Sequence, residues 1–324
     1  MRYRPLGRTG LSVSEIGFGA WGIGGRTVAQ TSYGDTDDRT SIAALERAID
    51  RGITFIDTSV AYGDGHSEEL IGRALAKVRS RVIIATKAGY ESWQRPPDFS
   101  RAAIVGSAER SLTRLRSDYI DVLQLHNAPP DVLLSDDVQT AIAQLLGQGK
   151  IRAWGASTKS PAEASEALRR AEIPILQCNF NMMDVRAVTS GLLADVERHG
   201  AAFIARTPLC FGYLSGRIDR DTAFPPGDHR AAWPMAQRAS WADGAREVLA
   251  TVPAAPASSA VQGALRFCLS FPAVSTVIPG MLTPEEADEN AVASDLGPLP
   301  EEAVSQVLAI NRQRPFFVSP APAA

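Results

Sequence analysis

The sequence predicts a closed parallel (β/α)8 barrel, the TIM architecture, with an N-terminal β-hairpin, a long loop after the seventh barrel strand and a C-terminal extension. Three observations lead there. Short apolar runs recur at eight places and alternate with stretches of helical periodicity. The runs are apolar on both faces, as parallel strands covered by helices are. The Gly17, Gly19, Gly22 spacing begins inside the first run, and no G-x-G-x-x-G turn lies beyond its end at residue 19, which argues against the alternative of an open doubly wound sheet. A length of 324 residues suits one barrel with extensions, so a single domain over 1–324 is expected.

Residues 2–14 read as a small hairpin across the glycine-bearing turn 7–10, placed to plug the barrel bottom. The eight strands are expected at 15–19, 54–57, 82–86, 120–125, 153–156, 175–179, 202–205 and 274–278. Between them, 38–51 carries Ile42, Leu45, Ala48 and Ile49 at helical spacing. Helix 68–76 follows Ser67 as an N-cap and has acids in its first turn. Helix 100–115 opens on a second cap, Ser100, and aligns Ile104, Ala108, Leu112 and Leu115. Segments 136–148, 161–171, 185–198 and 284–293 complete the set, with Pro161 and Pro284 in first turns that tolerate proline. Residues 209–241, rich in Pro, Gly and Trp, read as a long irregular loop of the kind that carries function. The tail 315–324 starts with Phe316 and Phe317 and turns Pro/Ala-rich, so it reads as mobile.

Composition narrows the function. Apolar residues are 45% and charged residues 21%, which excludes disordered, collagenous and coiled-coil classes. Lys plus Arg is 33 against 36 Asp plus Glu, a net charge of −3, so no electrostatic ground exists for nucleic acid or an anionic membrane as partner. Cys178, Cys210 and Cys268 lie far apart and form no C-x-x-C pair. That fits a reduced, cytoplasmic protein. No apolar signal core follows Met1, and no run of 18 apolar residues occurs. The expected partner is a small molecule. No His/Cys/Asp/Glu group has metal-ligand spacing, so no metal is expected.

In a barrel, chemistry sits just past the C-terminal strand ends. The second strand ends in Asp57, with Tyr62 five residues on; the third ends before Lys87 and the fourth before His126. A tyrosine near pKa 10 is a weak acid, and an adjacent ammonium lowers that value by favouring the phenolate. A carboxylate keeps the lysine charged, and a histidine nitrogen orients a carbonyl oxygen. Together they form a proton donor for an oxygen that gains charge as hydride arrives. No side chain supplies hydride, so NADP(H) or NAD(H) is required.

These segments resemble the aldo-keto reductase superfamily over nearly the whole chain. LGRTGLSVS at 6–14 is similar to its N-terminal hairpin, and GITFIDTSVAYG at 52–63 to its first signature. IATK at 84–87, DYIDVLQLH at 118–126 and GKIRAWGAS at 149–157 resemble its lysine, histidine and fifth-strand motifs. The resemblance implies Tyr62 as general acid/base, Asp57 and Lys87 as its tuning pair and His126 as the residue that orients the carbonyl. It also implies cofactor contacts from Trp21, Asp57, Ser157, Gln177, Arg206, Pro208 and Leu209, with Ser157 and Gln177 on the carboxamide. IPGMLTPEEADEN at 278–290 resembles the adenosine-phosphate segment, which adds Gly280, Leu282, Glu286, Glu289 and Asn290.

Three departures from the family pattern bear on the cofactor. Thr158 stands where Asn is usual. Arg206 stands where an aromatic ring stacks, a task a planar guanidinium also performs. Leu282 and Glu286 stand where cations meet the 2′-phosphate, so on this segment NADH should be tolerated; Arg217 is a cation able to restore NADPH preference, and the sequence leaves the preference undetermined. Trp21, Tyr62, His126 and Phe211 are the substrate candidates, and Tyr213, Trp233, Trp241, Phe316 and Phe317 are further walls. Such a pocket suits an apolar or flat carbonyl, while Arg217, Arg220 and Arg230 leave room for an anionic or sugar-derived one. His66 and His199 read as loop and helix-end residues; His229, on the long loop, fits a loop role or a substrate contact. The expected activity is reversible NAD(P)H-dependent reduction of an aldehyde or ketone. The alternative is a nucleotide-binding regulatory or accessory barrel with little turnover, against which His126 argues.

Overall fold

A strand with two apolar faces is stable only when both are covered, and eight such strands in sequence order satisfy this by closing on themselves under a ring of helices. The computed structural model describes residues 1–27, 29, 31–253 and 258–317. Two short strands, β1 (Tyr3–Pro5) and β2 (Ser12–Ser14), form an antiparallel hairpin. The barrel strands are β3 (Phe18–Gly19), β4 (Phe55–Asp57), β5 (Ile83–Ala88), β6 (Ile120–Leu125), β7 (Ile151–Ser157), β8 (Ile175–Asn179), β9 (Ala202–Arg206) and β10 (Val274–Ile278). They are parallel neighbours in that order.

The barrel closes between β3 and β10. Gly17 N–H donates to the Val277 carbonyl at 2.8 Å, Val277 N–H to Glu15 at 2.9 Å and Gly19 N–H to Pro279 at 2.9 Å. The seam is tight: a Cβ on Gly19 would lie 2.7 Å from the Ile278 carbonyl oxygen, so only glycine fits. The first strand is shorter than the expected 15–19 because 15–17 bond across this seam and do not ladder with β4. The hairpin plugs the opposite end, as expected. Leu6, Leu11 and Val13 pack with Phe55, Val122 and Ile204 in a second apolar cluster inside the barrel. Arg4 fastens it, donating to the Glu15 carboxylate at 2.7 Å and the Val274 carbonyl at 2.8 Å.

Helices Asp38–Asp50, Arg101–Leu115, Asp136–Gly147, Pro161–Ala171 and Pro284–Leu296 lie where periodicity put them. Ser100 is a true cap, accepting from Ala103 N–H at 3.3 Å. Ser67 is not. Its helix, His66–Leu75, starts after Gly65 at φ +99°, and the Ser67 hydroxyl donates instead to the Ala20 carbonyl at 2.9 Å. The expected helix 185–198 breaks at Gly191 into Arg186–Thr189 and Leu192–His199. His199 is the expected helix-end residue, with Nδ1 donating to the Asp195 carbonyl at 2.8 Å.

The expected loop 209–241 is irregular only to Pro234; Met235–Leu249 is a helix. Helices Ala260–Leu269 and Glu301–Gln313 were also not expected. The first of these is buried at eight of its ten positions, so it reads as a short apolar run that periodicity alone does not separate from a strand. The tail is docked as far as it is described. Phe316 is buried, and its carbonyl accepts from Gln237 Nε2 at 2.9 Å and Ser240 Oγ at 3.2 Å. The remainder of the tail expected to be mobile, 318–324, lies outside the described residues. Among the described residues no helix is long and apolar enough to cross a membrane, and no group of three or more His, Cys, Asp or Glu is placed to hold a metal.

Leu6 is fully buried in the plug. Leu6→Ala should lower the unfolding free energy by about 2–5 kcal/mol, the cost of a core cavity. Urea titration checks this; an unchanged midpoint would show that the plug is not part of the cooperative core.

Candidate active site

The ends of β4, β5, β6 and β8 meet at one point inside the mouth. Lys87 on β5 pairs with Gln124 on β6 in the parallel register, and β4 stands beside them with Asp57 as its last residue. Lys87 Nζ donates to Asp57 Oδ1 at 2.5 Å, to the Thr58 carbonyl at 3.0 Å and to the Tyr62 hydroxyl at 3.1 Å. Three bonds use all three ammonium protons. Asp57 Oδ2 accepts from Gln124 Nε2 at 3.0 Å and Gln177 Nε2 at 2.6 Å. Asp57, Lys87 and His126 are buried, and Tyr62 is partly exposed. Its ring centroid lies 6.1 Å from that of His126, edge to face. His126 Nδ1 lies 3.3 Å from the Ser59 hydroxyl. The four residues expected together are therefore brought together.

Electrostatics corrects one expectation. Tyr62 was expected to fall below its ordinary value beside an ammonium. It is raised, because burial leads and Asp57 adds to it, against the lowering by Lys87 and Arg206. The hydroxyl is a held proton, not a latent phenolate. For Lys87, burial pulls the pKa down, but Asp57 and Tyr62 outweigh it and the net shift is upward. His126 is held well below the ordinary histidine value by burial, then by the Lys87 and Arg206 cations. It is neutral at physiological pH.

Of the residues expected at the cofactor, Ser157, Gln177 and Arg206 stand at or near the C-terminal ends of β7, β8 and β9. Asn127 N–H donates to Ser157 Oγ at 3.0 Å, and Ser157 pairs with Gln177 in the β7–β8 register. Arg206 ends β9 and is fixed by three acceptors: Asn179 Oδ1 at 2.7 Å, Asn127 Oδ1 at 3.3 Å and the Thr158 carbonyl at 2.9 Å. Pro208 and Leu209 follow it. Beyond β10, Glu286 Oε2 accepts from Leu282 N–H at 2.7 Å at the start of helix Pro284–Leu296. Arg217 is already engaged, donating to Glu289 at 2.8 Å. Asn290 is buried. Cys210 is buried, and burial pushes its thiol up.

Two aromatic walls flank the mouth. Trp21 lies 4.8 Å from Tyr33 and 4.8 Å from His229, and Phe211 lies 4.8 Å from Trp233. On the other side Tyr90 and Trp93 stand 5.6 and 5.1 Å from His126. Tyr33, Tyr90 and Trp93 were not among the sequence candidates. Tyr90 and Trp93 had a signal, since they follow the lysine strand by two and five residues, where barrel loops build sites. Tyr33 had none, because it reaches the mouth through a loop that folds back.

Comparison with known proteins agrees with this geometry. The family model described as "Aldo/keto reductase family" matches residues 15–312. The aldo-keto reductase YhdN of Bacillus subtilis (strain 168) is 35% identical over 243 residues, covering 74% of this chain and 71% of its own. A probable voltage-gated potassium channel subunit beta of Arabidopsis thaliana is 31% identical over 336 residues, covering 97% and 99%. Among solved structures, the glycerol dehydrogenase from Gluconobacter oxydans matches with a TM-score of 0.77 at 29% identity, covering 99% of each chain.

The depressed His126 has a consequence for stability. The unfolded chain takes up a proton below about pH 6.5 that the folded site refuses, so stability rises with pH there and falls as pH drops below that value. One such group contributes a slope of up to about 1.4 kcal/mol per pH unit. Thermal unfolding between pH 7.5 and 5.5 should show a declining Tm, and His126→Gln should flatten the decline. An equal decline in the variant would place the proton elsewhere.

Proposed function

The chain belongs to the aldo/keto reductase family, and from that membership we propose that it interconverts an aldehyde or ketone with its alcohol, with Tyr62 donating the proton. One observation carries the proposal. Lys87 spends one ammonium proton on the Tyr62 oxygen. The phenol's own proton therefore points away from the lysine and is free for a carbonyl oxygen.

The site suits the NAD(P)H on which the family's chemistry runs. The four polar residues can move a proton, yet none can deliver hydride. A Cβ on Gly280 would meet nothing within 4 Å, which leaves open space between the end of β10 and the next helix. Reduced nicotinamide supplies the hydride when bound. Ser157 and Gln177 are the residues proposed to hold its carboxamide and Arg206 to stack on its ring, with Trp21, Pro208 and Leu209 around it. Gly280, Leu282, Glu286, Glu289 and Asn290 are proposed for the adenosine end.

The chain's own residues then act in sequence. Neutral His126 hydrogen-bonds the substrate carbonyl and orients it toward Tyr62. As negative charge grows on that oxygen, Tyr62 gives up its proton. The phenolate left behind is stabilised by the Lys87 ammonium 3.1 Å away. Asp57 keeps that ammonium charged in a buried site, and Gln124 and Gln177 occupy its second oxygen. Alcohol oxidation runs the same proton path backwards. Phe211, Trp21, Tyr90 and Trp93 are proposed as walls that exclude water from the carbonyl.

The second reading is a nucleotide-binding accessory barrel, supported by the potassium-channel relative. Tight cofactor binding with no turnover across a carbonyl panel would select it.

Tyr62→Phe should cut kcat by about 10²–10⁴-fold, the range for loss of general acid catalysis, with the Kd for NAD(P)H unchanged by fluorescence titration. An unimpaired variant would overturn the mechanism. A further expectation concerns the cofactor. Glu286 puts a carboxylate at the proposed 2′-phosphate end, and Arg217 is paired with Glu289. NADH should therefore bind at least as tightly as NADPH. Glu286→Gln should improve NADPH over NADH by about fivefold, the effect of one partly exposed charge. A wild-type preference for NADPH would count against this reading of Glu286.

A further inference from the structure

The segment after β9 returns across the mouth and is clasped to the loop that follows β3. Asp228 bridges Ser32, and His229 N–H donates to the Ser32 carbonyl at 2.9 Å. His229 Nδ1 lies 3.0 Å from that same carbonyl. A carbonyl oxygen only accepts, so Nδ1 carries the proton and Nε2 presents a lone pair. That Nε2 is buried and has no hydrogen-bond partner.

The atom sits in an aromatic cage. The imidazole centroid is 4.8 Å from Trp21, 4.9 Å from Trp233, 5.2 Å from Tyr33 and 5.9 Å from Phe211. The ring is held firmly. Buried Asp228 accepts from Arg230 N–H at 2.9 Å and binds the Arg230 guanidinium at 2.6 Å, and that guanidinium lies 4.6 Å over Tyr33. The cage adjoins the proposed catalytic group. Trp21 follows Ala20, whose N–H donates to the Asp57 carbonyl at 2.9 Å. Gly24 lies against Tyr62 so closely that a Cβ would be 2.8 Å from the Tyr62 carbonyl carbon.

A positioned acceptor left unpaired in an apolar cage loses free energy until a donor arrives. Ring faces that pack C–H surface, plus one acceptor, match the mixed surface of a hydroxylated carbon chain. We propose that His229 Nε2 accepts a hydrogen bond from a hydroxyl of the bound ligand, so that the site selects hydroxylated carbonyl compounds over bare ones. This rests on the carbonyl-reductase reading. The hydroxyl is the substrate's own. A site built to bind a hydroxyl rejects the analogue without it, because its own polar group is then stranded.

The test uses dissociation constants from calorimetric titration with DL-glyceraldehyde, propanal and NADH. The proteins are the wild type, His229→Asn and His229→Gln. Asn keeps a donor for Ser32 but has no group at the Nε2 position; Gln restores an acceptor there. The wild type should bind glyceraldehyde more tightly than propanal. His229→Asn should lose about tenfold for glyceraldehyde and nothing for propanal, with Tm held, and His229→Gln should recover part of the loss. A loss confined to NADH would overturn the proposal, because the acceptor would then serve a cofactor ribose and select nothing in the substrate. No change in any titration, or an equal loss for both aldehydes, would overturn it and leave His229 as a clasp. Failure of the reductase reading shows separately, as no turnover of either aldehyde by wild-type protein, and leaves these constants interpretable.

Discussion

A lysine ammonium with no exposed surface is the constraint around which the mouth of this barrel is arranged. A buried charge is tolerated only when it is paired and its hydrogen bonds are made. Lys87 meets that condition through Asp57, the Thr58 carbonyl and Tyr62. Asp57 then needs partners for its second oxygen and finds them in Gln124 and Gln177. The chain of requirements thus runs across four strands. Removing any member strands the next, so these residues are coupled and not a sum of separate contacts.

The same burial sets the protonation states. Tyr62 is raised and His126 depressed, in both cases with desolvation as the leading cause. One group therefore holds its proton and the other stays neutral, which is the pairing that the proposed proton donation calls for. In the proposed mechanism the ammonium stabilises the phenolate formed during reaction and does not create one beforehand. Stability and chemistry draw on the same low-dielectric pocket, and a more solvated mouth would weaken both.

Around that centre the barrel separates its duties by end. The bottom is sealed by Leu6, Leu11 and Val13 from the hairpin, far from the chemistry. The top is lined by aromatic loops that the barrel frame does not dictate. The clasp at Ser32 and Asp228 brings the segment after β9 over the mouth, and with it His229, Phe211 and Trp233. Loops of this kind tune the ligand while the frame keeps the acid–base group fixed.

The barrel was legible because parallel strands buried on both faces leave unbroken apolar runs, and Asp57, Lys87 and His126 lie at or just past the ends of three of them. Helix Ala260–Leu269 was not legible, since a short, mostly apolar run is compatible with a buried strand as well as a buried helix. Ser67 looked like a cap because local sequence cannot reveal that its hydroxyl is taken by the Ala20 carbonyl, 47 residues away. By itself, then, the sequence determined the fold class, the four polar residues and the plug, all of which follow from short-range pattern. Only the tertiary structure decided the direction of the Tyr62 shift, the pairing of Arg217 with Glu289 and the unpaired nitrogen of His229. Each of these depends on burial or on contacts between residues distant in sequence, and one-dimensional order does not record them.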